Sequence, residues 1–457
     1  MGKTNLNIVI LAAGQGTRMR SSLPKVLHSL AGKPMLQHVI DTARELRPGK
    51  LSVIYGHGGE QVPQAIEDPD ITWVLQAEQL GTGHAVMQAL PNVSDQDIVL
   101  VLYGDVPLLD SDTLAQLTEH AGGSLCLLTV HLDDPSGYGR IIRNEHGQVV
   151  AIIEHKDADE MQRRISEVNT GILAVNGGRL RGWLEKLENN NAQGEYYLTD
   201  IIAMAVADGI QIEISHPAKV NEVLGVNSRR QLAELEREYQ LQQAERLMDK
   251  GVSLVDPNRI DIRGSLDCGK DVTLDINVII EGNVVLGDNV NVGANCLLKN
   301  CEVAEGVEIM PMSIIEEAKI GSGSRIGPFA RIRPGTELAA NTHIGNFVEL
   351  KNSQVGEGTK INHLSYIGDA GIGKHSNIGA GVITCNYDGA NKHRTEIGDD
   401  TFIGSDSQLV APVKIGDGAT IGAGTTLTGD APAGDLTLSR TKQKTIKGWK
   451  RPAKKKD

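Results

Sequence analysis

Two glycines and two cations near the N-terminus could do phosphate chemistry. Gly14 and Gly16 stand in AAGQGTR, directly after the apolar run NIVIL, with Arg18 and Lys25 within one loop of them. Backbone N–H groups at a strand end approach a phosphate closely where glycine removes the side chain, and two cations beside them suit the charge that builds on a departing pyrophosphate. The loop lacks the Gly-Lys-Ser/Thr of a Walker A motif, and Met19 stands where a dinucleotide fingerprint needs its third glycine. Asp105 ends a second apolar run, IVLVLYGDVP. A carboxylate held at a strand tip can hold Mg²⁺ beside phosphates. Far along the chain come Arg333, Lys351, His363 and Tyr366, then Asn377, the loop CNYDGANKHR with Asn386 and Tyr387, and finally Ser405, Ala423 and Arg440. A cation cluster suits a sugar phosphate, and a histidine suits removal of a proton from an attacking amine.

Two different kinds of element must position these groups. In the first half, strand-like runs at 7–11, 51–55, 98–102 and 125–130 alternate with helical stretches at 35–46 and 112–120, the pattern of an α/β sheet. In the second half, every sixth residue is aliphatic in three series: Leu274 to Leu298, Ile320 to Leu350 and Ile397 to Leu427. All seventeen such positions are aliphatic, which at 40% apolar composition happens by chance roughly once in several million trials. Hexads of this kind predict a parallel β-helix, of the left-handed sort, in triangular coils of about 18 residues with the aliphatic column inside. The spacing slips to five at Leu350 to Val355 and Ile367 to Ile372, and about seven extra residues enter between Thr384 and Ile397. Residues 228–251 are charged, free of Gly and Pro until the closing Gly251, and read as a long exposed linker helix. The expected organisation is therefore 1–227 α/β, 228–251 linker, 252–440 β-helix and 441–457 basic tail.

Composition bounds the function. Aromatics are only 3% while Gly reaches 52 of 457 residues, as a glycine-punctuated solenoid requires. No apolar run approaches the roughly 20 residues that span a bilayer, and no tripartite export signal opens the chain. Five scattered cysteines with no C-x-x-C pair fit a reducing cytoplasm better than a disulfide framework or a zinc knuckle. The net charge of −13 conceals a tail, 440–457, with nine Lys or Arg against one Asp, which leaves −21 for the remainder. So acidic a body is not a general nucleic-acid binder, whereas the tail could meet a phosphorylated ligand. A prism filled with aliphatic side chains has no internal pocket, so a site on it must lie outside, between neighbouring prisms; this argues for a cyclic oligomer, a trimer given the three-sided section.

LAAGQGTRM with PKVLHSLAGKP, QLGTGHA and YGDVP resembles the sugar-1-phosphate nucleotidyltransferases. With the hexad half attached, the whole chain resembles the bacterial bifunctional N-acetylglucosamine-1-phosphate uridyltransferase / glucosamine-1-phosphate acetyltransferases. The resemblance implies a Rossmann-like nucleotidyltransferase domain followed by a left-handed β-helix, a cytoplasmic homotrimer, Mg²⁺, and UTP and acetyl-CoA as co-substrates. It implies that Leu11, Ala12, Ala13, Gly14 and Lys25 bind the UTP phosphates and that Gln76, Gly81 and Thr82 read uracil. Tyr103 and Gly104 precede Asp105, which with Asn227 of GVNSR would share the Mg²⁺, while Gly139, Glu154, Asn169, Glu195, Tyr197 and Thr199 would line the sugar. In the second half it implies His363 as base, Arg333 and Lys351 on the sugar phosphate, Tyr366 and Asn377 shaping the sugar site, and Ala380, Asn386, Tyr387, Ser405, Ala423 and Arg440 on acetyl-CoA. Two other readings use the same features: a single-activity nucleotidyltransferase with a merely oligomerising β-helix, and a β-helix scaffold bearing a regulatory nucleotide-binding module. The His363 region and the CNYDGANKHR loop distinguish the first, because a structural solenoid does not require them; Lys25, Asp105 and Asn227 together speak against the second.

Overall fold

In the computed structural model, which describes residues 5–56, 58–452 and 454, the apolar runs of the first half build one mixed sheet. Its strands lie in the order Ile212–Ser215, Leu125–His131, Glu167–Asn176, Ile98–Tyr103, Leu6–Leu11, Lys50–Tyr55, Ile71–Leu75. Side chains alternate across it: Ile8 and Ile10 pack into one layer with helices Met35–Glu45 and Ser111–Glu119, and Val9 and Leu11 into the other with Thr82–Ala89 and Gly177–Leu184. Both faces are thus covered, which is why these runs read as nearly continuous apolar stretches. Leu6–Leu11 pairs in parallel with Lys50–Tyr55 on one side and Ile98–Tyr103 on the other. The chain leaves it first in one direction and then in the other, so a crevice opens at the carboxyl ends of these strands, where α/β sheets place their ligands. Beyond Ile98–Tyr103 the sheet departs from simple parallel winding. Glu167–Asn176 runs antiparallel to both neighbours, and Val168 pairs with Arg140 of the hairpin Arg140–Arg143/Val149–Ile153.

The hexads form a parallel β-helix. Residues meet their register partners 18 positions on at Ile280/Leu298, 17 on at Leu338/Val355 and 25 on at Ile372/Ile397. The five-residue slips are thus coils one residue shorter, and the long step holds the inserted loop. All seventeen sequence-predicted aliphatic positions are buried in one continuous core.

Contacts divide the chain into Met1–Tyr239 and Gln240–Asp457, a division that falls inside the helix Arg229–Asp249. That helix is less exposed than its charge suggests. Leu232 and Leu235 pack in the first unit, while Ala244 and Leu247 belong to the core of the second. Gln240 is buried: its Nε2 donates to Ile262 O (2.9 Å) and its Oε1 accepts from Ile262 N (2.7 Å). It thereby satisfies the open edge of the strand Ile260–Cys268, the edge strand of its sheet, which would otherwise present unpaired backbone groups. No helix among the described residues is long and apolar enough to cross a membrane. Of the basic tail, Ala453 and residues 455–457 lie outside the described residues.

Candidate active sites

The first site is built on strand ends. Ala12 N donates to Ile54 O (2.8 Å) and Gly104 N to Leu11 O (2.9 Å), which sets the glycine loop and YGD side by side. The chain then turns at Gly16, whose φ is +61° and where a Cβ would stand 2.7 Å from Lys25 Cβ. Only glycine both takes this backbone conformation freely and lets Lys25 cross so closely. Lys25 Nζ forms an ion pair with Asp105 Oδ2 and donates to Asn227 Oδ1 (3.1 Å), with the lysine and aspartate side chains largely buried. Asn227 is brought there by Val226 N, which donates to Asp105 O (2.9 Å). A carboxylate oxygen and an amide oxygen from residues 122 apart in sequence therefore converge on one cationic atom. Among the described residues no cluster of three His, Cys, Asp or Glu side chains forms a ready-made metal cage. Two hard oxygens beside the glycine loop suit Mg²⁺, which usually keeps several waters and takes one or two carboxylates plus substrate phosphates.

The cleft has a volume of about 450 Å³. It brings together eleven of the expected residues: Leu11, Ala12, Ala13, Gly14, Lys25, Gln76, Gly81, Thr82, Tyr103, Asp105 and Glu195. Gln15, Val26, Gln79 and Ala85 also line it and were not anticipated. Two distant segments are joined at its wall. Gly83 N donates to Tyr196 O (2.8 Å), Tyr196 N to Leu80 O (2.8 Å) and Leu198 N to Thr82 Oγ1 (3.2 Å), so QLGTGHA and EYYLTD act as one body. Gly81, at φ +107°, would place a Cβ only 2.6 Å from Tyr196 O and is required for that docking.

A polar group adjoins this wall. Thr199 Oγ1 donates to Glu154 Oε1 (3.0 Å), Glu154 lies against Gly139, and Asn169 N donates to Gly139 O (2.9 Å). Burial pushes the Glu154 carboxyl above its usual range, partly offset by the Thr199 hydrogen bond. Burial, with the charges of Glu154 and Asp105 adding to it, raises the Tyr103 phenol. The Tyr197 hydroxyl is engaged internally, accepting from Gln193 Nε2 (2.9 Å) and donating to Asp157 Oδ2 (3.3 Å). Arg18 sits exposed on the turn Thr17–Met19 and is not part of the cleft lining.

The second site lies on the outside of the β-helix. His363 is exposed, and strand register places Ala380, Ser405 and Ala423 directly below it on successive coils. Backbone bonds tie this column: Gly381 N to His363 O (3.2 Å), Asp406 N to Ala380 O (2.8 Å) and Gly424 N to Ser405 O (2.8 Å). Arg440 ends the column, its guanidinium lying over Gly422. Round the corner, Arg333 Nη1 donates to Glu349 Oε1 (2.7 Å), and Tyr366 is the register partner of Glu349. Lys351 stands beside Lys392, and that neighbouring ammonium is the main cause that lowers the Lys351 pKa, as two cations awaiting an anion would show. Lys392 is held by a small hairpin in which Tyr387 bridges it and Asp388 accepts from Ala390 N (2.8 Å), Asn391 N (2.6 Å) and His393 Nε2 (2.7 Å). Asn386 is buried with its amide on Asp369, whereas Tyr387 is exposed. Asn377 does not join His363 within one chain. It shares the ladder of Lys360, three residues back along that face.

Lys392 and Asn346 are functional candidates that residue-type reasoning passed over. Asn346 Oδ1 lies 2.9 Å from His363 Nδ1. A signal for it existed: it precedes His363 by 17 residues, the length of one short coil. Lys392 lies inside the loop that the spacing had already singled out.

Comparison with known proteins agrees with both halves. Residues 8–252 match the MobA-like NTP transferase domain, 262–339 the GMPPB C-terminal domain, and 394–429 the bacterial transferase hexapeptide repeats. The chain is 62% identical to the bifunctional protein GlmU of Nitrosospira multiformis over 454 residues, 99% of each chain.

Proposed function

The chain belongs to the GlmU family, and from that premise we propose how its residues divide two activities between two sites. The enzyme acetylates glucosamine-1-phosphate with acetyl-CoA, then joins the product to UMP from UTP, giving UDP-N-acetylglucosamine and pyrophosphate.

For uridyl transfer, residues 11–14 and Lys25 hold the UTP phosphates, Gln76, Gly81 and Thr82 the base, and Glu154, Asn169, Thr199 and their neighbours the sugar. Asp105 and Asn227 hold Mg²⁺, which when bound offsets negative charge on the phosphates. A phosphate oxygen of the sugar phosphate attacks the α-phosphorus in line as the bond to pyrophosphate breaks, so the chain supplies positioning and charge rather than a nucleophile. Lys25 then exchanges its contact with Asp105 for phosphate oxygens, and Arg18, on the same loop, is assigned to the leaving pyrophosphate. The observation that carries this reading is the convergence of Lys25, Asp105 and Asn227 at the end of the glycine loop.

For acetyl transfer, Arg333, Lys351 and Lys392 take the sugar phosphate and His363 Nε2 removes a proton as the amine attacks the thioester carbon; the coenzyme A thiolate leaves. The column from His363 to Ala423 spans three coil steps, about 14 Å at the usual strand spacing, and its small side chains leave a track for an extended arm that ends near Arg440. The basic tail and Arg440 supply charge for coenzyme A phosphates. A homotrimer is supported by two features. Asn377 lies off the His363 column, in register with Lys360, which suits its delivery by a neighbouring prism. Beside His363, the corner residues Phe329, Phe347 and Leu364 are about half exposed or more, with the two phenyl rings stacked at 5.3 Å, an apolar ridge that a second copy would cover. We place the enzyme in the cytoplasm, where UTP and acetyl-CoA are made. Purified protein given glucosamine-1-phosphate, acetyl-CoA, UTP and Mg²⁺ should release both free thiol and pyrophosphate; loss of either product would refute the corresponding half.

A further inference from the structure

Gln76 follows the strand Ile71–Leu75, is buried, and is anchored by its backbone N–H, which donates to Tyr55 O (2.8 Å). Its side-chain nitrogen Nε2 makes two contacts, one to Gly81 O (3.2 Å) and one to His84 Nδ1 (3.0 Å). Only the nitrogen end of an amide can face a carbonyl oxygen, so the Gly81 contact defines the orientation of the Gln76 amide. Its second proton then points at His84 Nδ1, which must accept and therefore carries no hydrogen. The ring proton of His84 is then on Nε2, and the Gln88 side-chain nitrogen, which stands 3.1 Å from that atom and 3.3 Å from His84 O, has to swing away from it. With both of its protons used inside the protein, Gln76 presents one remaining group to the cleft it lines, the acceptor Oε1. His84 does not itself line the cleft.

We propose that His84 is a positioning residue for base selection: by taking the second amide proton of Gln76 it leaves a pure acceptor facing the base, so that the cleft takes a pyrimidine bearing hydrogen on N3 and rejects one bearing a lone pair there. Uracil has that hydrogen and cytosine does not. A lone pair set against Gln76 Oε1 leaves two acceptors facing each other and a buried group unpaired, the arrangement by which polar sites discriminate strongly. This inference rests on the reading that Gln76 meets the base of UTP. The alternative is that His84 only packs, since its ring lies 6.4 Å from that of Tyr196.

The test compares kcat/KM for UTP and CTP in the full-length protein, by pyrophosphate release. His84→Leu removes the acceptor and should lower the UTP:CTP ratio about tenfold or more. His84→Asn places an oxygen where Nδ1 was and should keep the ratio within about threefold of the unmutated protein. A leucine variant that loses activity equally with both nucleotides, or loses none, would overturn the assignment, as would an asparagine variant as unselective as the leucine one. Should the leucine variant fail to fold, His84→Ala is read in the same way. If the unmutated protein turned over neither nucleotide, the uridyltransferase reading would fall rather than the role of His84.

Discussion

His363 Nδ1 lies 2.9 Å from Asn346 Oδ1, and the two residues are register partners on adjacent coils. An amide oxygen in that position accepts the Nδ1 proton, which leaves the Nε2 lone pair free to take a proton from an amine. The partner is an amide rather than a carboxylate, so it orients the ring without adding charge. Asn346→Leu is therefore expected to lower kcat for acetyl transfer by about 10- to 100-fold, part of the usual worth of a positioned base, while KM for glucosamine-1-phosphate changes less than threefold. A change confined to KM would remove Asn346 from this role.

Removal of His363 itself is expected to have a larger consequence. His363→Ala is expected to lower acetyl transfer about 10²- to 10⁴-fold while uridyl transfer from supplied N-acetylglucosamine-1-phosphate continues unchanged. Thiol release, normalised to folded protein, is the measurement, and turnover within about threefold of the unmutated enzyme would sink the assignment.

The cation site of the first unit makes the reciprocal prediction. Asp105→Asn takes away the charge that pairs with Lys25 and that would hold Mg²⁺. Pyrophosphate release should fall by at least 100-fold, with acetyl transfer nearly intact. If both activities fell together in folded protein, the two sites could not be separate.

Gln240 gives a test of the fold rather than of the chemistry. Gln240→Leu leaves both the N–H and the C=O of Ile262 without their partner at a sheet edge, at a cost on the order of 2 kcal/mol for buried polar groups left unpaired. A fragment that starts before Gln240 should accordingly melt at a higher temperature than one that starts at Val252. Equal melting points would show that the helix adds nothing to the β-helix.

Glu154 carries the pH dependence. Its carboxyl is raised above the usual range by burial. A raised acid contributes stability that is present in full below the unfolded carboxyl pKa, about 4.3, and is lost as pH rises through the higher folded value. Glu154→Gln, which has no charge to bury, should lose less thermal stability than the unmutated protein between pH 4 and pH 8. Parallel melting curves across that range would contradict the assignment.

The two halves of the chain were legible to different depths. The β-helix could be read almost completely, because its determinant is local: one aliphatic residue in every six, with the shortened coils and the inserted loop visible as breaks in the count. The α/β half could be read as a class, and its glycine turn and strand-tip aspartate as phosphate chemistry, because strand ends are marked by abrupt changes from apolar to small or charged residues. The buried stripe of the helix Arg229–Asp249 escaped notice because charged residues outnumber it, and burial of Gln240 depends on a strand edge that no periodicity announces.

Contacts between residues far apart in sequence belonged to the tertiary structure alone. Lys25 reaches Asp105 and Asn227 across separations of 80 and 202 residues, and nothing in the spacing of the three indicates that they share one point. The same holds for the orientation of side chains. The sequence by itself determined that an amide at Gln76 and an imidazole at His363 were available, together with the periodicity that stacks the coils. Which atom of each is engaged inside the protein was decided by Gly81, His84 and Asn346, because a hydrogen-bonding group is committed only when its other partners are already in place.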